Sequence, residues 1–538
     1  MEPKDVKGLP AVRALLHALG LGEGEIEKPI VAVVNSFNEI VPGHVHLNEI
    51  VKCVKNGVIK AGGTPIEFPT IGVCDGIAMG HDGMKYSLPS REMIADTIED
   101  MVRAHGIYDG IVLVAACDKN VPGILMAAAR LDMPSIVVTG GPMLPGRFKG
   151  KRIDVKDAFA ADGQYAKGVL SREEYEGIIR NCCPGPGSCA GLFTANSMAC
   201  VTEALGMSLP GCATAHAVDD KKKSLATSSG RQVMKLIKEG ITAKQIMNET
   251  AFENAFAVDM AIGGSTNTVL HIPTIAKEAG YDFDLDRINE ISKKTPNIVK
   301  ISPSSEYRMI DFDRAGGVPA VISQLRKRGI VKDTLTVHGG SWLEAEILDI
   351  SVIRPIEDPY SETGGIAILK GSLAPNGSVI KESGVASDVP DPFEGFAKVF
   401  NSEEDATDFI KNERLEKGMV IVIRYEGPAG GPGMREMLYP TSAISGLDKD
   451  KEVALITDGR FSGATKGICI GHVEPEAYFG GPIALLRDGD KIRIDLKNRK
   501  LDLLVDGEEL EKRREGWEPI EKEIPERGVL ANYRARFK

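Results

Sequence analysis

Three consecutive residues raise the first chemical question: Cys117, Asp118 and Lys119, in the stretch AACDKN. They follow the apolar run Gly110-Ile-Val-Leu-Val, so a buried strand ends in a soft thiol, a carboxylate and an amine. Glycine-rich polar segments elsewhere combine the same residue types: Thr70–Glu92, Cys182–Cys200, and the pair Glu426–Ala443 and Thr457–His472. Glycine and proline at this density mark tight backbone that can approach a ligand closely. Cys117 and Cys189 are candidate soft-metal ligands, because thiolates bind zinc or iron–sulfur clusters and their spacing is too wide for one zinc finger. The competing reading is a pair of buried structural thiols. Asp75, Asp82, Asp118 and Glu436 have the oxygen chemistry of a magnesium site, or else cap loops and pair with Arg91 or Arg435. Ser462 lies in Arg460-Phe-Ser-Gly463, a setting that by itself suggests a turn residue. His44 and His46, in PGHVHL, alternate along what reads as an extended stretch and could both ligate a metal; they are read as substrate-side or structural. No Walker loop appears, nor a G-x-G-x-x-G motif in a strand–helix context.

The elements that must position these residues are legible in part. Pro29–Asn35, Gly110–Ala115 and Pro134–Thr139 are continuous β-branched runs, as expected of strands covered on both faces. Pro122–Arg130, between the last two, is rich in helix formers and predicts a helix starting at the proline. Strand, helix and strand make a βαβ unit of a parallel sheet. Cys117–Lys119 then sits past a strand's carboxyl end, where open α/β sheets bind ligands. After about residue 355 the pattern becomes alternating and turn-punctuated, with Asn376-Gly377 as a hairpin turn. The expected architecture is α/β: a parallel-sheet domain over 1–355, then a β-rich, barrel-like domain over 356–538. From about Arg513 the chain is highly charged and reads as surface or interface.

The chain has 538 residues, 43% hydrophobic and 26% charged, the balance of a soluble globular protein with room for two or three domains. A formal net charge of −11 gives no basic excess for nucleic acid or anionic membrane. No run approaches a membrane span and no signal peptide is read at the N-terminus, so the expectation is a cytoplasmic protein. Nine cysteines without an export signal do not suggest a disulfide framework.

Taken together, CDGIAMGHDGMKYSLPSRE, AACDKNVPG, PGSCAGLFTANSM, AVDMAIGGSTNTVLH, GPAGGPGMREMLYPTSAISG and ALITDGRFSGAT resemble the dihydroxy-acid and phosphogluconate dehydratase superfamily, on its branched-chain side. The resemblance runs from the N-terminus to at least residue 490. It implies an iron–sulfur cluster with one open iron position beside a magnesium ion. Cys117 and Cys189 match the cluster cysteines, and Asp75, Asp118 and Glu436 the magnesium carboxylates. Lys119 matches a lysine that becomes carboxylated, and Ser462 the base. Relatives with a 2Fe-2S cluster carry a third cysteine where this chain has Gly43, whereas PGHVHL resembles the wording of 4Fe-4S enzymes. The resemblance therefore leaves 2Fe-2S and 4Fe-4S open, with Cys74 or Cys183 (or its neighbour Cys182) as third ligand. It also leaves Asp82 as an alternative to Asp75. The implied reaction is dehydration of 2,3-dihydroxyisovalerate and 2,3-dihydroxy-3-methylvalerate to 2-keto acids for valine, leucine and isoleucine, by a homodimer or dimer of dimers. A sugar acid such as gluconate is the alternative substrate. A cluster-bearing regulatory or RNA-binding protein is a remote alternative that the acidic charge opposes.

Overall fold

An unbroken β-branched run has no polar face to show to water, so each must be covered on both sides. The computed structural model, which describes residues 2–537, meets that need with a four-stranded parallel sheet. Its strands are β1 (Ile30–Asn35), β2 (Thr64–Pro69), β3 (Gly110–Ala115) and β4 (Ser135–Thr139), in the order β2-β1-β3-β4. β1 and β3 are buried along their whole length. The crossover helices are Leu47–Lys60, Ser87–His105 and Asn120–Leu131. The chain leaves β1 towards β2 but reaches β3 on the other side, so right-handed crossovers place the first helix on one face and the other two opposite. That reversal opens a crevice at the carboxyl ends of β1 and β3, where ligands of such sheets bind. The helix after β3 begins at Asn120, two residues ahead of the proline expected to start it.

After a short hairpin, β5 (Gly146–Phe148) and β6 (Lys151–Ile153), the chain is helical to residue 327, and these helices extend the first core. The last third forms β7 (Ala367–Leu369), β8 (Gly377–Ile380), β9 (Phe393–Phe400), β10 (Met419–Ile423), β11 (Glu436–Met437), β12 (Ala454–Thr457), β13 (Arg460–Phe461), β14 (Cys469–Glu474), β15 (Lys491–Asp495) and β16 (Lys500–Leu503). Eight of these make one sheet in the order β16-β15-β9-β10-β12-β14-β8-β7. A bridge between Lys370, just past β7, and Lys500 on β16 brings the two edges together, so the sheet is barrel-like. Along β10, Val420 and Val422 enter one apolar core while Ile421 and Ile423 enter another under flanking helices. Both sides are covered, which accounts for the continuous apolar run. Asn376-Gly377 does not make a two-residue turn: β7 and β8 are joined by residues 370–376, and Gly377 opens β8.

The charged C-terminal segment returns to the body of the molecule. Lys522 Nζ reaches the buried Glu426 carboxylate at 2.8 Å. Tyr533, on the helix Val529–Ala535, packs between Leu88 and Met434. Replacing that ring by a methyl group leaves a cavity between the two halves, at a cost of about 3 kcal/mol. Tyr533→Ala is expected to lower the apparent melting temperature by several degrees in a thermal scan. Leu15→Ala, at a residue 69% exposed, should leave it unchanged.

Candidate metal centre

Two loops from the first sheet build one wall. The loop after β3 carries Cys117, Asp118 and Lys119, the last of them capping the helix Asn120–Leu131. Asn120 Nδ2 donates to Ile71 O at 2.7 Å and ties this loop to the one after β2. There, the short helix Asp75–Ala78 presents Asp75 with Cys74 as its cap. His44 is buried, and its Nε2 accepts the Cys117 backbone N–H at 3.2 Å. Residues 42–46 form turns rather than an extended stretch, and His46 bonds Gly140 O at 2.9 Å; neither histidine joins the acids. Position 43 abuts the thiol: a Cβ there would lie 2.9 Å from Cys117 Sγ, so only glycine fits without displacement.

The barrel supplies the opposite wall by the same device. β10 and β12 are adjacent and parallel, and the loops from their carboxyl ends lead into the two-residue strands β11 and β13. That pairing sets Glu436 beside Arg460, whose Nη1 donates to Glu436 Oε2 at 2.8 Å. Ser462 lies just past the end of β13, where its backbone N–H donates to Met437 O at 2.9 Å. Its Oγ accepts from the Ala464 N–H at 3.3 Å. Gly463 lets the turn approach the first half closely, since a Cβ there would lie 2.8 Å from Ser265 Oγ.

Between the walls, oxygens of Asp75, Asp118 and Glu436 lie within 4.8 Å of one another. Like charges at that separation repel by roughly 3 kcal/mol per pair at an effective dielectric of 20. The fully buried Lys119 ammonium answers them, donating to Asp75 Oδ2 at 2.7 Å, Glu436 Oε2 at 3.3 Å and Asp118 Oδ1. Ser87 Oγ donates to the other Asp75 oxygen at 2.6 Å. Burial, reinforced by the Asp118 charge, pushes the Glu436 carboxyl up to about 7. Burial also raises Asp75. For Lys119, burial and the Arg460 charge act downward, but the carboxylates together outweigh them and hold it protonated. With every group ionised, three carboxylates face two cations, and one negative charge remains. Asp82 is not part of this group: its side chain is 80% exposed and paired with Lys85 at 2.6 Å.

Three thiols lie near enough to feel the charges of Asp75 and Asp118. Cys74, Cys117 and Cys189 are each half-buried. Burial raises all three pKa values, and Cys74 adds to the rise of both Cys117 and Cys189. Asn196 Nδ2 holds the Cys189 loop through Cys189 O and Gly191 O, at 2.5 and 2.7 Å. Cys183 is exposed, with its sulfur 3.8 Å from Cys182 Sγ. Cys74 and Cys189 both add to the rise of Cys117, and Cys189 in turn adds to that of Cys183.

With this geometry, comparison with known proteins is informative. The N-terminal dihydroxy-acid/6-phosphogluconate dehydratase model matches residues 28–345 and the C-terminal one residues 351–538. The chain belongs to the dihydroxy-acid/6-phosphogluconate dehydratase family. Its similar relatives include proteins named dihydroxy-acid dehydratase from Pyrococcus abyssi, at 55% identity, and from Pyrococcus furiosus, at 54%. One from Methanothermobacter thermautotrophicus is 53% identical. Each alignment covers 97% of this chain and 95% of the relative. Among the described residues no helix is long and apolar enough to cross a membrane.

Within this family member, Arg460 and His271 sit at the acid group, although residue types alone assigned them no role. Both fall in the quoted motifs, but an arginine after a strand and a histidine in an apolar helix carry no distinguishing spacing. Arg435, next to Glu436, points away into a separate acid cluster. It binds Glu426 at 2.7 Å and Glu404 at 2.6 Å. Glu403 lies there too, with neither carboxylate oxygen hydrogen-bonded among the described residues, and burial raises its pKa to about 8. A folded-state pKa above the unfolded value means the native form holds an extra proton between about pH 4.5 and 8. Stability from this group is therefore lost as pH rises through that window. Glu403→Gln should flatten the decline of melting temperature between pH 5 and pH 8.5, measured by calorimetry.

Proposed function

We propose that this chain is a hydro-lyase removing water from 2,3-dihydroxy acids, 2,3-dihydroxyisovalerate and 2,3-dihydroxy-3-methylvalerate, to give the 2-keto acids of valine, leucine and isoleucine biosynthesis. The observation that carries the reading is the meeting of three carboxylates and Lys119, brought by loops from the strand ends of both sheets, with Cys74 and Cys117 next in sequence to two of the acids. In this reading residues 1–355 form the cluster- and magnesium-binding domain and residues 356–538 the domain that completes the site.

The donor sets fit the two centres expected from the resemblance. Asp75, Asp118 and Glu436 would hold magnesium, with Lys119 as its carboxylated form. That change converts the one ammonium among the acids into a fourth anionic oxygen donor. Only Arg460 would then oppose four negative charges, an imbalance that calls for a divalent cation. Cys74, Cys117 and Cys189 would hold the iron–sulfur cluster, since thiols raised by burial become stable thiolates only against a metal. When bound, the two centres supply Lewis acidity towards the C3 hydroxyl and the substrate's carboxylate and C2 oxygen. Ser462 takes the C2 proton. Its hydroxyl is a poor base alone, and adjacent bound cations would lower the cost of ionising it. Exposed Leu343, Leu348 and Ile350, on one segment, supply apolar surface for the proposed homodimer or dimer of dimers.

The test is 2-keto acid formation by anaerobically purified protein with magnesium, comparing 2,3-dihydroxyisovalerate with gluconate. The branched substrate should be strongly preferred; preference for gluconate would move the enzyme to sugar acids. Ser462→Ala should retain its iron and lose at least about a hundredfold in turnover. Cys74→Ser should lose iron while Cys183→Ser keeps it, as read by iron content and visible absorption. The opposite pattern would transfer the third thiolate to Cys183.

A further inference from the structure

His271 lies in the first turn of the helix Thr268–Ala279, fully buried, and the reaction scheme above does not use it. Its Nδ1 sits 3.1 Å from Arg91 Nη1. A guanidinium can only donate, so Nδ1 is the acceptor and carries no proton. The ring is neutral, held so by burial and by the nearby charges of Arg91, Lys119 and Arg460. Its one proton is therefore on Nε2. That N–H has no hydrogen-bond partner among the described residues. It points into the acid group, with Nε2 3.9 Å from Asp118 Oδ1.

Arg91 is itself fixed. Its Nε donates to Glu92 Oε1 at 3.0 Å, and Arg536 from the C-terminal segment donates to the other Glu92 oxygen at 3.1 Å. A chain of charge-assisted contacts thus runs from Arg536 through Glu92 and Arg91 to the imidazole and decides which nitrogen faces Asp118. A buried donor without an acceptor is costly, and the structure keeps this one about an ångström beyond hydrogen-bonding distance from a carboxylate engaged with Lys119. Once a cation replaces the lysine ammonium as the partner of Asp118, the carboxylate is free to turn.

We propose that His271 is a positioning residue that donates its Nε2–H to the Asp118 carboxylate when a divalent cation occupies the acid group, holding that carboxylate in its ligating orientation. The inference rests on the reading of Asp75, Asp118 and Glu436 as the magnesium site. Hydrogen bonds to metal-ligating carboxylates are worth about ten- to a hundredfold in metal affinity.

The experiment titrates Mn2+ into full-length, chelator-treated protein and follows free Mn2+ by electron paramagnetic resonance, with Mg2+ as competitor. Two amides separate the geometry from mere polarity. His271→Asn keeps an acceptor for Arg91 but is too short to reach Asp118, whereas His271→Gln places an N–H near the imidazole Nε2. His271→Asn should weaken Mn2+ by about ten- to a hundredfold at an unchanged melting temperature, and His271→Gln should stay within about threefold of wild type. Turnover of His271→Asn should recover at raised Mg2+. Wild-type affinity in His271→Asn, or equal loss in both variants, overturns the role of His271 alone. Absence of saturable, Mg2+-competed binding in the wild type, or full binding by Asp118→Asn, overturns the metal reading and this proposal with it.

Discussion

Three buried carboxylates held within hydrogen-bonding distance of one lysine set the terms for the rest of this structure. Such a group is unfavourable on its own, both from desolvation and from mutual repulsion. It persists because each acid comes from a different, separately stabilised loop, and because Lys119 and Arg460 are buried with it. Arg460 could not serve without the two-residue pairing of β11 and β13, which aligns it with Glu436. Nor could Lys119 without the turn after β3, held from below by His44 and from the side by Asn120. The acid group is therefore less a feature added to two sheets than the reason they must meet.

The two halves meet by one architectural rule used twice. A parallel sheet delivers loops at the carboxyl ends of its strands, and the order β2-β1-β3-β4 leaves a crevice there. Within the barrel, β9, β10, β12 and β14 are mutually parallel and present their own carboxyl-end loops. Hard oxygen donors come from both halves, whereas Cys74, Cys117 and Cys189 all come from the first. Soft and hard donors thus share a wall without mixing, and Cys74-Asp75 and Cys117-Asp118 each put one of either kind on adjacent residues.

Much of the first half was legible because its signals are local. Continuous β-branched runs gave β1, β3 and β4 nearly to the residue, and the position of Cys117–Lys119 at a strand end followed. Asp75 and Asp82 could not be told apart, since both lie in one glycine-rich stretch and only the helix at Asp75 turns one inward. Glu436 was a candidate by its carboxylate chemistry and Ser462 a candidate base through family wording alone, but neither could be placed in space, because a pairing of two residues has no periodicity to read. Asn376-Gly377 misled because its local preference for a tight turn was overridden by strand register set elsewhere. The charged C-terminal segment reads as surface or interface, and which buried acids its charges partner is a fact of tertiary contact that composition does not carry. His271 was invisible for the same reason: its neighbour Arg91 is 180 residues away in the chain.

The return of the C-terminal segment bears on how the molecule is made. Asp75, Asp118, Lys119 and the three thiols emerge from the ribosome hundreds of residues before Glu436 and Ser462, and Lys522 and Arg536 come last. A nascent chain therefore carries an incomplete acid group and uncovered thiols for most of its synthesis. The acid group is completed only once the second half has folded against the first, and the contacts of Lys522 and Arg536 with buried acids form after that.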